Sequence, residues 1–124
     1  MHGSANLEKL TNNVDRISYS DSKLHVLMLS KAVARKWPNV YSNSVDPGWV
    51  ATKMGGQGAP DNLQKGCETQ AWLAVSNDNN ALVTGNYFYH QRQAKYNTLA
   101  NDVVLQEKLL SICEDITGVS LTAV

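Results

Sequence analysis

Residues 19–37 constrain this chain more than any other stretch. They carry Leu24, Val26, Leu27, Met28, Leu29, Ala32, Val33 and Ala34, and Pro38 follows directly. The run reads as one helix. Ser18 or Ser20 can cap its start, and Pro38 cannot continue it. Lys31, Arg35 and Lys36 fall in its last turns, where cations suit the negative end of the helix dipole. A helix with so few polar faces in its middle is expected to be buried on two sides rather than one. The fold must supply neighbours for both.

Those neighbours can be read from the rest of the chain. Residues 1–18 are polar and loop-like, with a short helical turn expected at 6–10. Val40, Ser42 and Ser44 alternate with Tyr41, Asn43 and Val45, which predicts a strand over 39–45 ended by Pro47 and Gly48. Residues 55–66 are rich in glycine and proline and read as a loop. A second helix is expected over 63–76, with Cys67, Ala71, Trp72 and Val75 on its inner face. Asn77 to Asn80 form a turn, and a second strand covers 83–89. A closing helix over 98–117 places Val103, Val104, Leu109, Leu110, Cys113 and Ile116 at helical spacing, with Gly118 as its cap. Helix alternating with strand predicts an α/β layer fold with parallel strands. A chain of 124 residues has room for one such domain.

Charge and cysteine content remove several function classes. Eleven basic residues balance eleven acidic ones, so nothing electrostatic calls for nucleic acid or an anionic membrane. Cys67 and Cys113 are the two cysteines, with no CxxC or Cys/His cluster to suggest zinc or a disulfide framework. They read as reduced core residues of a cytoplasmic protein. Residues 1–6 lack the basic and apolar regions of a signal peptide, and no apolar run is long enough to span a bilayer.

The chemistry-bearing pair is Tyr19 and Lys23. Residues four apart on a helix project from one face, so a phenol and an ammonium stand together. A tyrosine is a poor base at neutral pH, its reference pKa being about 10. A fixed cation beside it favours the phenolate and makes proton exchange with an alcohol or carbonyl oxygen feasible. His25, one turn beyond Asp21, reads as structural.

Tyr19-Ser20-Asp21-Ser22-Lys23, followed by Val45-Asp46-Pro47-Gly48-Trp49-Val50-Ala51-Thr52 and then Val83-Thr84-Gly85-Asn86-Tyr87-Phe88, resembles the short-chain dehydrogenases/reductases. The wording is nearest their retinol-dehydrogenase-like branch. The resemblance extends over nearly the whole chain but only over the C-terminal half of the family fold. It implies a helix-strand-helix-strand-helix piece of a Rossmann-like, doubly wound parallel sheet, lacking the N-terminal dinucleotide-binding half. On it, Tyr19 would be the acid/base, and Lys23 would bind the nicotinamide ribose and tune Tyr19. Pro47, Gly48, Trp49 and Val50 would lie against the nicotinamide, and Thr52 would bond its carboxamide or the pyrophosphate. Residues 46–65 would form the cofactor- and substrate-side loop.

The family's glycine-rich pyrophosphate turn has no counterpart here; Gly55-Gly56-Gln57-Gly58 follows the Pro-Gly turn and is not read as one. The catalytic serine would stand just before this chain begins, and Ser4 is not its equivalent. The implied function is hydride transfer between NAD or NADP and a small apolar carbonyl or alcohol, from a truncated chain inactive alone. The alternative is a non-catalytic association module. Helix 19–37 is expected to drive homo-oligomerisation in either case, since its apolar surface would otherwise be exposed.

Overall fold

The computed structural model describes residues 5–48, 56–58 and 63–121. After a short helix α1 (Lys9–Asn12) and a 3-10 turn (Val14–Arg16) comes the long helix α2 (Tyr19–Lys36). Strand β1 (Ser44–Asp46), helix α3 (Leu63–Val75) and strands β2 (Tyr87–Tyr89) and β3 (Arg92–Gln93) follow. A 3-10 turn (Thr98–Asn101) leads into the closing helix α4 (Val103–Thr117). The architecture is mixed α/β, compatible with part of a Rossmann-like sheet.

The start of α2 is set by a capping box. Ser18 Oγ accepts from the Asp21 N–H at 3.0 Å, and the Asp21 carboxylate accepts from the Ser18 N–H at 3.2 Å. Both otherwise orphaned donors are thereby satisfied. The inward face of α2 carries Asp21, Leu24, His25, Leu27, Met28 and Ala32, all buried. Of these, Leu24, Leu27 and Met28 pack with Ala5, Leu7, Ala100, Leu105, Leu109 and Ile112 into one core between α2 and α4. The expected burial on two sides is seen, since α2 meets α4 through this core and meets the sheet through Ser30, Lys31 and Ala34. The remaining stripe, marked by Lys23 and by Val26 at 57% exposure, is open among the described residues.

Among the described residues, three strands form the sheet in the order β1-β2-β3. β1 and β2 are parallel, with Val45 opposite Phe88, and β2 and β3 are antiparallel. Side chains alternate across a sheet. Tyr87 accordingly packs toward the α2–α4 core, while Phe88 takes the edge of Trp72 from α3 at 5.9 Å between centroids. Helices therefore cover both faces.

Progress along the strands runs backward along α2. A Cβ at Gly85 would stand 3.5 Å from that of Ala34, and the Lys31 ammonium donates to the Gly85 carbonyl at 2.6 Å. Ser30 is tied to both Ser42 and Ser44. The C-terminal ends of β1 and β2 thus point toward the N-terminal end of α2.

Several boundaries differ from expectation for identifiable reasons. The strands are shorter than 39–45 and 83–89, because side chains take over the backbone bonding before them. Thr84 Oγ1 accepts from the Ser42 N–H, and Asn43 donates to the Val83 carbonyl and accepts from the Asn86 N–H. The all-parallel expectation missed β3, whose hairpin turn places His90 and Gln91 at φ of 49° and 62°. That left-handed pair is normally marked by Asn or Gly, so the usual sequence signal is missing.

The closing helix begins at Val103 rather than Thr98, because Asp102 caps it by accepting from the Leu105 N–H. Its buried face is Leu105, Gln106, Leu109 and Ile112, while Val104 and Ile116 are exposed. Gly118 does cap it, in the left-handed conformation. On α3 the inner face is Gly66, Thr69 and part of Trp72, whereas Cys67, Ala71 and Val75 face outward. Thr69 accepts from the Gln91 N–H, which turns the helix by its polar contact as well as by Trp72. Cys67 is therefore a surface thiol, while Cys113 packs against the core as expected.

Candidate functional site

Tyr19 is the first residue of α2, and the capping box beneath it fixes where that first turn points. Asp21, Leu24 and His25 are drawn inward, which sends Tyr19 and Lys23 outward. Tyr19 is 71% exposed, and the Lys23 ammonium stands 5.2 Å from the centroid of its ring. That separation is within the range of a cation–π contact. The two side chains share one face, as the spacing requires.

The inward residues tie this end of α2 to the segment before it. Asp21 accepts from the Asn6 side chain at 3.0 Å, and His25 Nε2 lies 2.8 Å from the Ala5 carbonyl. Ala5 and Asn6 both have positive φ, near 55° and 57°. Two α2 side chains thus pin a turn that few non-glycine residues adopt unaided. The Asn6 amide, and then the Ser18 N–H, hold the Asp21 carboxyl below the ordinary carboxylate range, against the opposing effect of burial. His25 is structural, as expected.

At the end of β1 the chain turns through Pro47 and Gly48, where Gly48 has φ of 85°. Asp46 holds that bend. Its Oδ1 accepts from the Gly48 N–H at 2.9 Å, and its Oδ2 accepts from the Tyr87 hydroxyl at 3.3 Å. Burial raises the Tyr87 phenol above its usual pKa. The Asp46 charge, their hydrogen bond and the charge of an ionised Tyr19 raise it further. Tyr87 therefore lies within electrostatic reach of both Asp46 and Tyr19.

Of the expected site residues, Tyr19, Lys23, Pro47 and Gly48 lie at this end of the fold. Trp49, Val50 and Thr52, with most of the 46–65 loop, lie outside the described residues. Sequence reasoning assigned no role to Asp46 or Tyr87. The signal for Asp46 was its place before Pro-Gly, since an Asp side chain bonds the backbone two residues on.

An exposed phenol and ammonium on one helical turn fit the hydroxyl-rich ribose end of a nicotinamide nucleotide. A pyrophosphate site needs a tight glycine turn from strand to helix, and no such turn is seen among the described residues. Among the described residues no cluster of His, Cys, Asp or Glu could hold a metal ion, and no helix is long and apolar enough to cross a membrane.

Comparison with known proteins points the same way. The chain is 43% identical over 109 residues to a short-chain dehydrogenase of Penicillium rubens, covering 86% of this chain and 41% of that protein. It is 37% identical over 116 residues to an uncharacterized oxidoreductase of Emericella nidulans, covering 92% and 46%. A 64-residue stretch is 38% identical to pig (Sus scrofa) carbonyl reductase [NADPH] 1, covering 47% of this chain and 22% of that one. The chain spans less than half the length of each. No family model matches the chain, and no solved structure does. These likenesses support a place among the short-chain dehydrogenases/reductases, and with it an oxidoreductase lineage that uses a nicotinamide cofactor.

Proposed function

We propose that this chain is the acid/base-bearing part of an NAD(P)-dependent oxidoreductase that moves a hydride between the nicotinamide and a carbonyl or alcohol carbon. The observation that carries the proposal is the Lys23 ammonium 5.2 Å from the Tyr19 ring, on an exposed turn at the same end as the Asp46–Gly48 bend. When bound, the nicotinamide supplies or accepts the hydride. Tyr19 gives a proton to the substrate oxygen in reduction and takes it back in oxidation. Lys23 offers a positive charge beside the phenol and a donor for ribose hydroxyls. Pro47 and Gly48 present backbone without bulk where a flat ring can approach. The substrate class is a small apolar carbonyl compound or alcohol.

On this reading the 124-residue chain alone does not turn over, because most of the binding free energy of a dinucleotide comes from a pyrophosphate site outside it. Copies of the chain associate through the outer face of α2, where Val26 is exposed. Sedimentation of a dilute sample as a monomer contradicts that association.

The test of function exchanges this chain for the matched stretch of the Penicillium rubens relative and titrates NADH and NADPH fluorescence. The exchanged protein is expected to saturate, and Lys23→Ala to weaken binding by about tenfold or more, the loss of one charge-assisted contact. The chain alone is expected not to saturate at micromolar concentration. Binding indifferent to Lys23 would overturn the assignment.

A further inference from the structure

A single carboxylate joins three parts of this end of the molecule. Asp46 lies where β1 stops, with one oxygen on the Gly48 N–H and the other on the Tyr87 hydroxyl. Neither bond repeats within the sheet ladder, where Asp46 is paired with Tyr89. They are extra bonds, and both restrain a bend whose φ of 85° only glycine adopts freely. Tyr87 is itself held from behind. Its ring meets that of Tyr96 edge-on at 6.2 Å, and Tyr96 accepts from Lys31 of α2 at 3.1 Å. The chain of contacts runs from α2 through Tyr96 and Tyr87 to Asp46 and then to Gly48. Because β2 runs backward along α2, its C-terminal end points toward the end of α2 that carries Tyr19.

We infer that Asp46 and Tyr87 are positioning residues that fix the Pro47–Gly48 bend relative to Tyr19. The inference rests on the oxidoreductase reading for its purpose, but not for its geometry. A carboxylate suits the task better than an amide. It accepts from two donors at once, whereas an amide has one accepting oxygen and must turn its NH2 toward the second. The charge also strengthens both bonds in a half-buried setting. Burial first, and then the Asp46 charge and hydrogen bond, raise the Tyr87 phenol, which favours its protonated, donating form.

The experiment uses the full 124-residue chain with labelled tyrosine ring carbons and amide nitrogens, read by NMR without any cofactor. In the wild type the Tyr87 phenol is expected to titrate above the ordinary tyrosine range. Asp46→Ala should lower that titration and speed Gly48 amide exchange by about tenfold or more, the usual effect of losing a charge-assisted bond. Asp46→Asn should restore most of the Gly48 protection while leaving the Tyr87 titration lowered, because it keeps an acceptor and loses the charge. The Tyr19 ring resonance should move in both Asp46→Ala and Tyr87→Phe, a readout that a purely local turn would not alter. An unmoved Tyr19 resonance in both variants overturns the inference, as does a Tyr87 titration indifferent to Asp46→Asn. Nicotinamide titration of the exchanged protein is a separate readout. Its failure with these shifts present removes the oxidoreductase reading and leaves the positioning pair standing.

Discussion

The two faces of the small sheet are built differently. On one side, α2 and α4 enclose Leu7, Leu24, Leu27, Met28, Leu105, Leu109 and Ile112, with Asp21 and His25 satisfied by the Asn6 side chain and the Ala5 backbone. On the other, α3 buries little more than Gly66, Thr69 and part of Trp72, and Val75 is 82% exposed. The first face carries the stability and therefore can fix the outward angle of Tyr19 and Lys23. The second is a light cover held by one aromatic contact and one backbone-to-threonine bond. The denser packing and the paired buried polar groups lie under the proposed chemistry.

The largest expected effect tests that asymmetry directly. Met28 is fully buried, and Met28→Ala should cost about 2–5 kcal/mol by lost burial and the cavity left behind. Trp72→Ala on the α3 side should cost less, because its ring is half-buried. Denaturant midpoints of the two variants decide the matter, and an equal loss would erase the distinction between the faces.

Acid sensitivity should also belong to the first face. Asp21 is held below the ordinary carboxylate range when folded, so its contribution is fully present above the unfolded value. It is lost as pH falls through the lowered folded value. Asp21→Asn should therefore flatten the acid limb of the stability profile, measured by thermal unfolding across acidic buffers. Ser18→Ala removes the other half of the capping box and should cost about 1 kcal/mol at neutral pH.

A subtler effect is expected at Lys31, which donates to Tyr96 and lies 4.3 Å from its ring centroid. The hydrogen bond from Lys31, then that to Asn101, holds the Tyr96 phenol below its usual value. Lys31→Met should raise the Tyr96 titration, seen in the tyrosine ring spectrum. The smallest effects are expected at Val75→Ala and Val104→Ala, each within about 0.5 kcal/mol because both side chains are exposed. A larger loss at Val75 would mean that α3 is covered in solution.

Patterning alone predicted the helix–strand order, a serine cap at Ser18 or Ser20 (Ser18 in the structure), the end of α2 before Pro38 and the Gly118 cap. Each follows from local chemistry: a hydroxyl accepting an orphan N–H, a ring that cannot continue a helix, and a residue free to adopt positive φ. The shared face of Tyr19 and Lys23 followed from helical spacing in the same way. Rotation of α3 and α4 about their axes was not accessible. Val104 and Ile116 are as apolar as Leu105 and Ile112, and the choice between them depends on where α2 lies. Thr69 and Gln106 hold buried positions through bonds to the Gln91 N–H and the Ala100 carbonyl, partners too distant or too irregular for periodicity to show. The Asp46–Tyr87 bond joins residues 41 apart, so it could not be seen before the strands were paired.

The account turns on Tyr19 as the proton-exchanging group, and turnover of the exchanged protein tests it most directly. With this chain in place of the matched stretch of the Penicillium rubens relative, NAD(P)H-dependent reduction of small apolar ketones and aldehydes is expected. Tyr19→Phe should slow it by about a hundredfold or more while leaving nicotinamide binding intact. Reduction at an undiminished rate without the Tyr19 hydroxyl would contradict it.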